Sequence, residues 1–388
     1  MNELQTTPKF PLLELPYLSL KDTVKQMALM DILKFSKSSR IGDNLVQFMK
    51  LKTDSIDIFA DLARSHVSFQ TGQIEEQKIC FYSEEEFKAL DESYNDPSEK
   101  HLVLDHIEEC FEMTSRMKKL FEVKGCTCHI THLSKNPDEM IHILSRIPLE
   151  KCTFLRITER LFIHRVASIV KVLDGKVLDY LTEHLNPDAQ LHLNCLFPED
   201  YNYQKLFKFR SFNQNNASWL TMEHLKSLRY VRNAGSFYFN YTNFNTEDIV
   251  EFLEYFVNCE EDMMEYISIH VKDENDLSED KVLNQILCYF DLHTGCHLIK
   301  VHHTKNRKQI MAKINFRASG RMICLETITD IEQYGVQLEI LELMEREQEL
   351  EGELRVIEED PSNDQMERET EIQVELVEIR RKLSLLRD

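Results

Sequence analysis

Glycine and proline are both scarce, at nine residues each in a chain of 388. That excludes a flexible Gly/Ser linker and a Pro-rich one. The shortage of glycine also bears on chemistry. Loops that cradle phosphates need glycine so that backbone N–H groups can approach the anion. No GxGxxG or Walker pattern occurs, and GxSxG, HExxH, HRD, DFG and EF-hand motifs are missing as well. A dispersed Ser-His-Asp set needs no local motif. Even so, nothing singles out a base among fifteen scattered histidines. No catalytic residue and no cofactor site is expected, and the chain reads as a non-enzyme.

A run of about 18 apolar residues, the length of a spanning helix, is also lacking. Met1–Lys9 has no apolar core of the secretory type. The sequons at Asn216 and Asn240 therefore read as chance matches. Ten cysteines are spread through apolar contexts such as Ile79-Cys80 and Ile323-Cys324, as suits reduced, buried thiols in the cytoplasm or nucleus. Cys126, Cys128, His129 and His132 are zinc-ligand types close together. Alternation along a strand would send the cysteines to one face and His129 to the other, so no metal site is expected.

Positive charge is the other deficit. The formal net charge is -21, which opposes a broad grip on nucleic acid and on anionic membranes. Residues Ile331–Asp388 hold eighteen acidic and seven basic side chains, so about half the excess lies there. The basic turn Lys305–Lys308 reads as a solvated hairpin loop. The single tryptophan, Trp219, reads as a packed staple between a helix and a sheet.

What is present divides into four regions. Residues 10–48 carry Pro11 and Pro16, then Leu20, Val24 and Met27 on one helix face. Further short helices are expected around Asp31–Phe35 and over Lys37–Phe48, the last with Ile41, Leu45 and Phe48 on one side. Residues 53–120 form a mixed linking segment: a strand at Ile79–Tyr82, a capping box at Ser83–Glu86, and a helix over Leu102–Leu120.

Residues 121–330 alternate with period two at Cys126–Thr131, Thr153–Thr158, Leu191–Leu196, Phe207–Phe212, Ser236–Tyr241 and Tyr266–Val271, which predicts strands. Helix starts at Asn136-Pro137-Asp138-Glu139 and Asn245–Asp248 lie between them. Several strand spacings are about 27 to 29 residues, others near 18 or 38, which suggests a degenerate leucine-rich-repeat-like stack. Cys296–His303, Gln309–Phe316 and Met322–Ile328 follow as an antiparallel meander. Residues 332–388 carry two 4-3 stripes, from Val336 to Ile357 and from Ile372 to Leu386, broken by Asp360–Asp364. They predict an antiparallel hairpin or, alternatively, a self-associating coiled coil. The expected fold is therefore α+β or α/β: a small helical start, a strand–helix stack ending in a meander, and a helical tail.

The start resembles an F-box. The pattern rests on Leu12, Leu13, Leu15-Pro16, Leu20, Met27 and Ile32, followed by the serine-rich turn Phe35–Arg40. Thr23 stands where an aliphatic residue is usual, and Ile41-Gly42 replaces a usual aromatic. A second stretch, Trp219–Leu228, Tyr241–Asn245, Glu247–Leu253 and Met264–Ile269, resembles the type 2 F-box-associated domain of nematode F-box proteins, with Glu251 where asparagine is usual. Together the resemblances span about residues 10–330. They imply an adaptor in which Leu12, Leu13, Leu15, Pro16, Leu20, Met27 and Ile32 bind a Skp-family adaptor on a cullin scaffold. The associated domain would recruit an unidentified target protein for ubiquitination. The alternative is a scaffold acting through its coiled-coil tail.

Overall fold

The computed structural model describes residue 12 and residues 15–387, except 62–63, 71–76, 83–98, 103–104, 132–135, 159, 164–165, 171, 232–234, 273–276, 303, 306, 318–319, 331 and 360–364. The chain forms two units, Met1–Pro198 and Glu199–Asp388. The predicted capping box at Ser83–Glu86, with Leu13, Leu104, His132 and the Asp360–Asp364 break, lies outside the described residues.

The first unit begins with three ten-residue helices, Tyr17–Gln26, Leu29–Ser38 and Arg40–Met49. Pro16 precedes the first, where a missing N–H costs nothing. Ser39 caps the third by accepting from Gly42 N, and Lys50 ends it in a left-handed conformation at φ 44°. Seven strands follow: β1 (Leu51–Ala60), β2 (Arg64–Gln70), β3 (Gln77–Tyr82), β4 (Glu99–Leu102), β5 (Phe121–Thr131), β6 (Cys152–Thr158) and β9 (Gln190–Asn194). They lie in the order β9-β6-β5-β1-β2-β3-β4. β1, β5, β6 and β9 are parallel, and β2 pairs antiparallel with both β1 and β3. Helices Pro137–Ser145 and Gly175–His184 return the chain between successive parallel strands, as parallel pairing requires. A separate hairpin, β7 (Arg160–Ile163) and β8 (Val166–Val170), branches off after β6.

Strand alternation puts Ile56, Ile58, Cys126, Cys128, Ile130, Leu155, Ile157, Leu191 and Leu193 in the core, all at most 1 % exposed. Helix His106–Leu120 adds Cys110, Phe111 and Met117 to the same core. Each fully buried aliphatic or aromatic side chain contributes about 1.5–3 kcal/mol. Residues 53–70, read from sequence as part of a link, belong to β1 and β2 of this sheet.

The second unit holds β10 (Ser211–Gln214), β11 (Ser236–Thr242), β12 (Tyr266–Val271), β13 (Cys288–Asp291), β14 (Cys296–Lys300), β15 (Met311–Arg317) and β16 (Met322–Ile328). β10, β11 and β12 are parallel, and the sheet continues antiparallel through β16, β15, β14 and β13. The parallel core and antiparallel end match the expected order. Helix Thr246–Asn258 starts on the Asn245–Asp248 capping box and buries Ile249, Phe252, Leu253 and Phe256.

Two expectations need correction. Phe207–Phe212 is not a strand: Tyr203–Lys208 is a 3-10 turn capped by Asn202, and β10 starts only at Ser211. Phe207 packs inward from that turn, Phe209 from the residue that ends it and Phe212 from β10, so three buried rings sit close in sequence without one strand. The basic turn is not uniformly solvated either. Arg307 is 3 % exposed and its Nη1 donates to the carbonyls of Phe256 (2.8 Å), Val257 (3.3 Å) and Cys259 (2.8 Å). It caps the C-terminus of Thr246–Asn258, where unpaired carbonyls and the helix dipole favour a cation.

The tail forms two long helices, Gly335–Glu359 and Gln365–Arg387. Ile340, Leu350, Ile357, Ile372, Leu376, Ile379 and Leu383 form one buried cluster between them. Val336 lies outside it, at 51 % exposure. Arg346 meets Glu375 (2.8 Å), Arg368 meets Glu353 (2.8 Å), and Arg380 meets Glu347 and Glu351 (2.7 Å each). Residue numbers rise on one helix as they fall on the other, so the pair is antiparallel. No helix among the described residues is long and apolar enough to cross a membrane.

Candidate protein-docking surfaces

Two surfaces of the first unit stand out. The first lies on the N-terminal helices. Leu20, Val24, Ile32, Leu33, Val46 and Met49 turn inward. That leaves Tyr17, Leu18, Ile41 and Phe48 outside, at 45, 71, 66 and 72 % exposure. Tyr17 and Phe48 meet edge to face with ring centroids 6.0 Å apart. Ile41 and Phe48 are seven residues apart on one helix and so share a face. Four large apolar side chains left in water on a small helical segment make this a candidate docking surface.

The resemblance residues separate by placement. Leu20 and Ile32 are core residues, at 6 and 3 % exposure. Leu12, Leu15 and Met27 are half-buried and Pro16 is exposed. Tyr17 and Leu18 were not singled out from sequence, and the stripe of Ile41 and Phe48 turns to solvent. The missing signal is Gly42, Val46 and Met49, a neighbouring stripe of the same helix, which is the buried one.

Arg116 ties these helices to the sheet unit. Its Nη2 donates to Ser36 Oγ (2.9 Å) and Asp43 Oδ1 (3.0 Å). The open cleft beside it, about 390 Å³, is lined by Lys37, Asp43, Glu109, Glu112, Arg116 and Arg146. Arg146 Nη1 in turn meets Glu108 at 2.6 Å. Arg116 and Asp43 are paired with each other across the cleft, which braces the helices against helix His106–Leu120.

The second surface is the sheet face opposite the buried one. Registry places His66, Phe59, His129, Arg156 and His192 in one row across β2, β1, β5, β6 and β9. Phe59 stacks on His66 with centroids 5.1 Å apart, and His129 stacks on Phe154 at 4.9 Å. Phe154 lies 4.7 Å from His192, and the Arg156 guanidinium sits 5.5 Å above the Phe154 ring. Arg156 Nη2 is 3.4 Å from His192 Nδ1. Partial burial, then the Arg156 charge, lowers the pKa of His129. The same two causes, with His129 third, push His192 down to about 4. Both imidazoles are neutral near pH 7, and His192 accepts from Arg156. The result is a row of stacked and tilted rings with the Arg156 guanidinium among them. Each strand supplies only one or two of these residues, so their shared row is set by registry.

Cys126 and Cys128 face the core while His129 faces out, and no group of three or more His, Cys, Asp or Glu side chains among the described residues is placed to hold a metal. Burial pushes the Cys110 and Cys128 thiols up, and a hydrogen bond with Cys152 followed by burial does so for Cys126, which removes thiolate character. Trp219 stacks on Tyr203 at 4.0 Å and meets Phe239 edge-on at 6.3 Å. Comparisons with known protein families, curated proteins and solved structures return no match.

Proposed function

We propose that this chain is the substrate-recruiting subunit of a cullin-type ubiquitin ligase. The N-terminal helices bind a Skp-family adaptor, and the leucine-rich-repeat-like stack offers its open face to a target protein. The observation that carries the reading is the exposed set Tyr17, Leu18, Ile41 and Phe48 on helices that bury Leu20, Val24, Ile32, Leu33, Val46 and Met49. Covering it on a partner gives back the burial that so small a segment lacks. The Arg116 brace supports the same reading, because a recruiting subunit must hold its target in a fixed orientation toward the transfer site. On this reading the reaction is catalysed elsewhere in the complex, and this chain supplies proximity. Co-expression with a Skp-family adaptor tests it. The wild-type chain is expected to co-purify with the adaptor, and the Ile41→Asp/Phe48→Asp chain is expected to lose it. Failure of the wild type to retain the adaptor overturns the reading.

A further inference from the structure

The tail helices bury one stripe each against one another, and Gln365–Arg387 carries a second. On that helix Ile372, Leu376, Ile379 and Leu383 face the hairpin core. Half a turn away, Glu367, Thr370, Val374, Val377, Arg381 and Ser384 repeat with alternating spacings of three and four, the rhythm of a helix–helix seam. Val374 and Val377 are 64 and 68 % exposed, and Leu385, beside Ser384, is 65 % exposed. A groove of about 550 Å³ opens beside Val374, walled by Glu367, Glu371, Glu375 and Glu378.

Charge is divided along this helix. Residues 365–379 hold five glutamates and one arginine, whereas 380–387 hold Arg380, Arg381, Lys382 and Arg387 with no acid. Arg380 is already engaged by Glu347 and Glu351. Arg381 and Arg387 make no hydrogen bond or ion pair among the described residues. Val377 sits at the midpoint of the 367–387 span, so the charge pattern inverts about it.

We propose that a second copy of this chain covers this stripe, antiparallel, with a two-fold axis near Val377. In that pairing Val374 of each copy meets Arg381 of the other. The aliphatic stem of Arg381 lies on the valine, and its guanidinium reaches the glutamates at 371 and 378 that flank it. Every contact occurs twice, as a closed symmetric interface requires. A parallel pairing sets Glu367 and Glu371 against themselves and Arg381 against Arg381, which opposes it. This seam differs from the one that closes the hairpin, so the two coexist. It is also independent of the ligase reading. Only three apolar side chains per copy take part, so the affinity is modest, with a dissociation constant on the order of 10 µM.

Sedimentation equilibrium of the full chain across the micromolar range tests this. The mass is expected to rise with concentration from 46.0 kDa toward twice that value. The Val374→Glu/Val377→Glu chain is expected to stay at the single-chain mass with unchanged helical circular dichroism, since both sites are exposed. Orientation is read by oxidation, with the parent chain as control for its own cysteines. A mixture of Val374→Cys and Arg381→Cys chains is expected to cross-link, and Val374→Cys alone is not. A wild-type chain that stays at the single-chain mass overturns the proposal. Self-association that survives the double glutamate variant, or self-cross-linking of Val374→Cys, does so equally.

Discussion

Removing the Arg307 side chain tests how the second unit is held together. Arg307 is 3 % exposed, and one of its nitrogens serves the carbonyls of Phe256, Val257 and Cys259. The guanidinium also lies 4.7 Å over the Phe256 ring. Hydrogen bonds from a charged donor contribute about 1.5–3 kcal/mol, and a cation at a helix C-terminus up to about 2 kcal/mol. Burying the guanidinium offsets part of this, and that burial lowers its pKa despite the nearby Asp262. Arg307→Ala removes the donors and the ring contact and strands the carbonyls, so a net loss of roughly 3 kcal/mol is expected. At about 2–4 °C per kcal/mol for a unit of this size, the melting temperature falls by roughly 6–12 °C. Arg307→Met keeps apolar contact with Phe256 but caps nothing, and is expected to lose about 2 kcal/mol. Thermal melts followed by circular dichroism read both. An Arg307→Met chain as stable as wild type would refute the capping account, because packing alone would then explain the burial.

Arg116→Ala is expected to loosen the N-terminal helices, since it releases Ser36 and Asp43 together. A loss of about 1–2 kcal/mol should appear as faster proteolysis within residues 17–49. Lys50→Gly should stabilise by about 0.5–1 kcal/mol in a denaturant titration, because Lys50 is held at φ 44° where glycine is unstrained. His192 has a folded pKa of about 4 against roughly 6.5 unfolded. The folded chain therefore binds fewer protons between these values. Its contribution is whole above about pH 6.5 and fades as pH falls toward 4. His192→Gln is expected to flatten the stability–pH slope in that window, modestly, because the ring is only half-buried.

Sequence periodicity identified most of the core because burial writes itself as alternation. Cys126–Thr131, Ser236–Tyr241 and Tyr266–Val271 are strands, and the Asn245–Asp248 box starts its helix because the cap needs only local chemistry. What failed was tertiary. Residues 54–58 read as D-S-I-D-I with two acids and passed for a link, yet β1 lies beside β5 at the centre of its sheet with Asp57 on the open face bonded to Thr127. Arg307 looked like a surface charge because its partners are carbonyls about fifty residues earlier. The open-face row was illegible for the same reason: His66, Phe59, His129, Arg156 and His192 come together only through the pairing of five strands. On Arg40–Met49, sequence reading found only the stripe of Ile41, Leu45 and Phe48, whereas Gly42, Val46 and Met49 are the buried residues.

The most direct test of the adaptor account is calorimetric titration of a purified Skp-family adaptor into the full chain. One adaptor should bind per chain, and Ile41→Asp/Phe48→Asp should abolish the heat while leaving the melting temperature within about 2 °C, since exposed sites tolerate substitution. No binding by the wild type, or equal binding by both chains, would contradict the account.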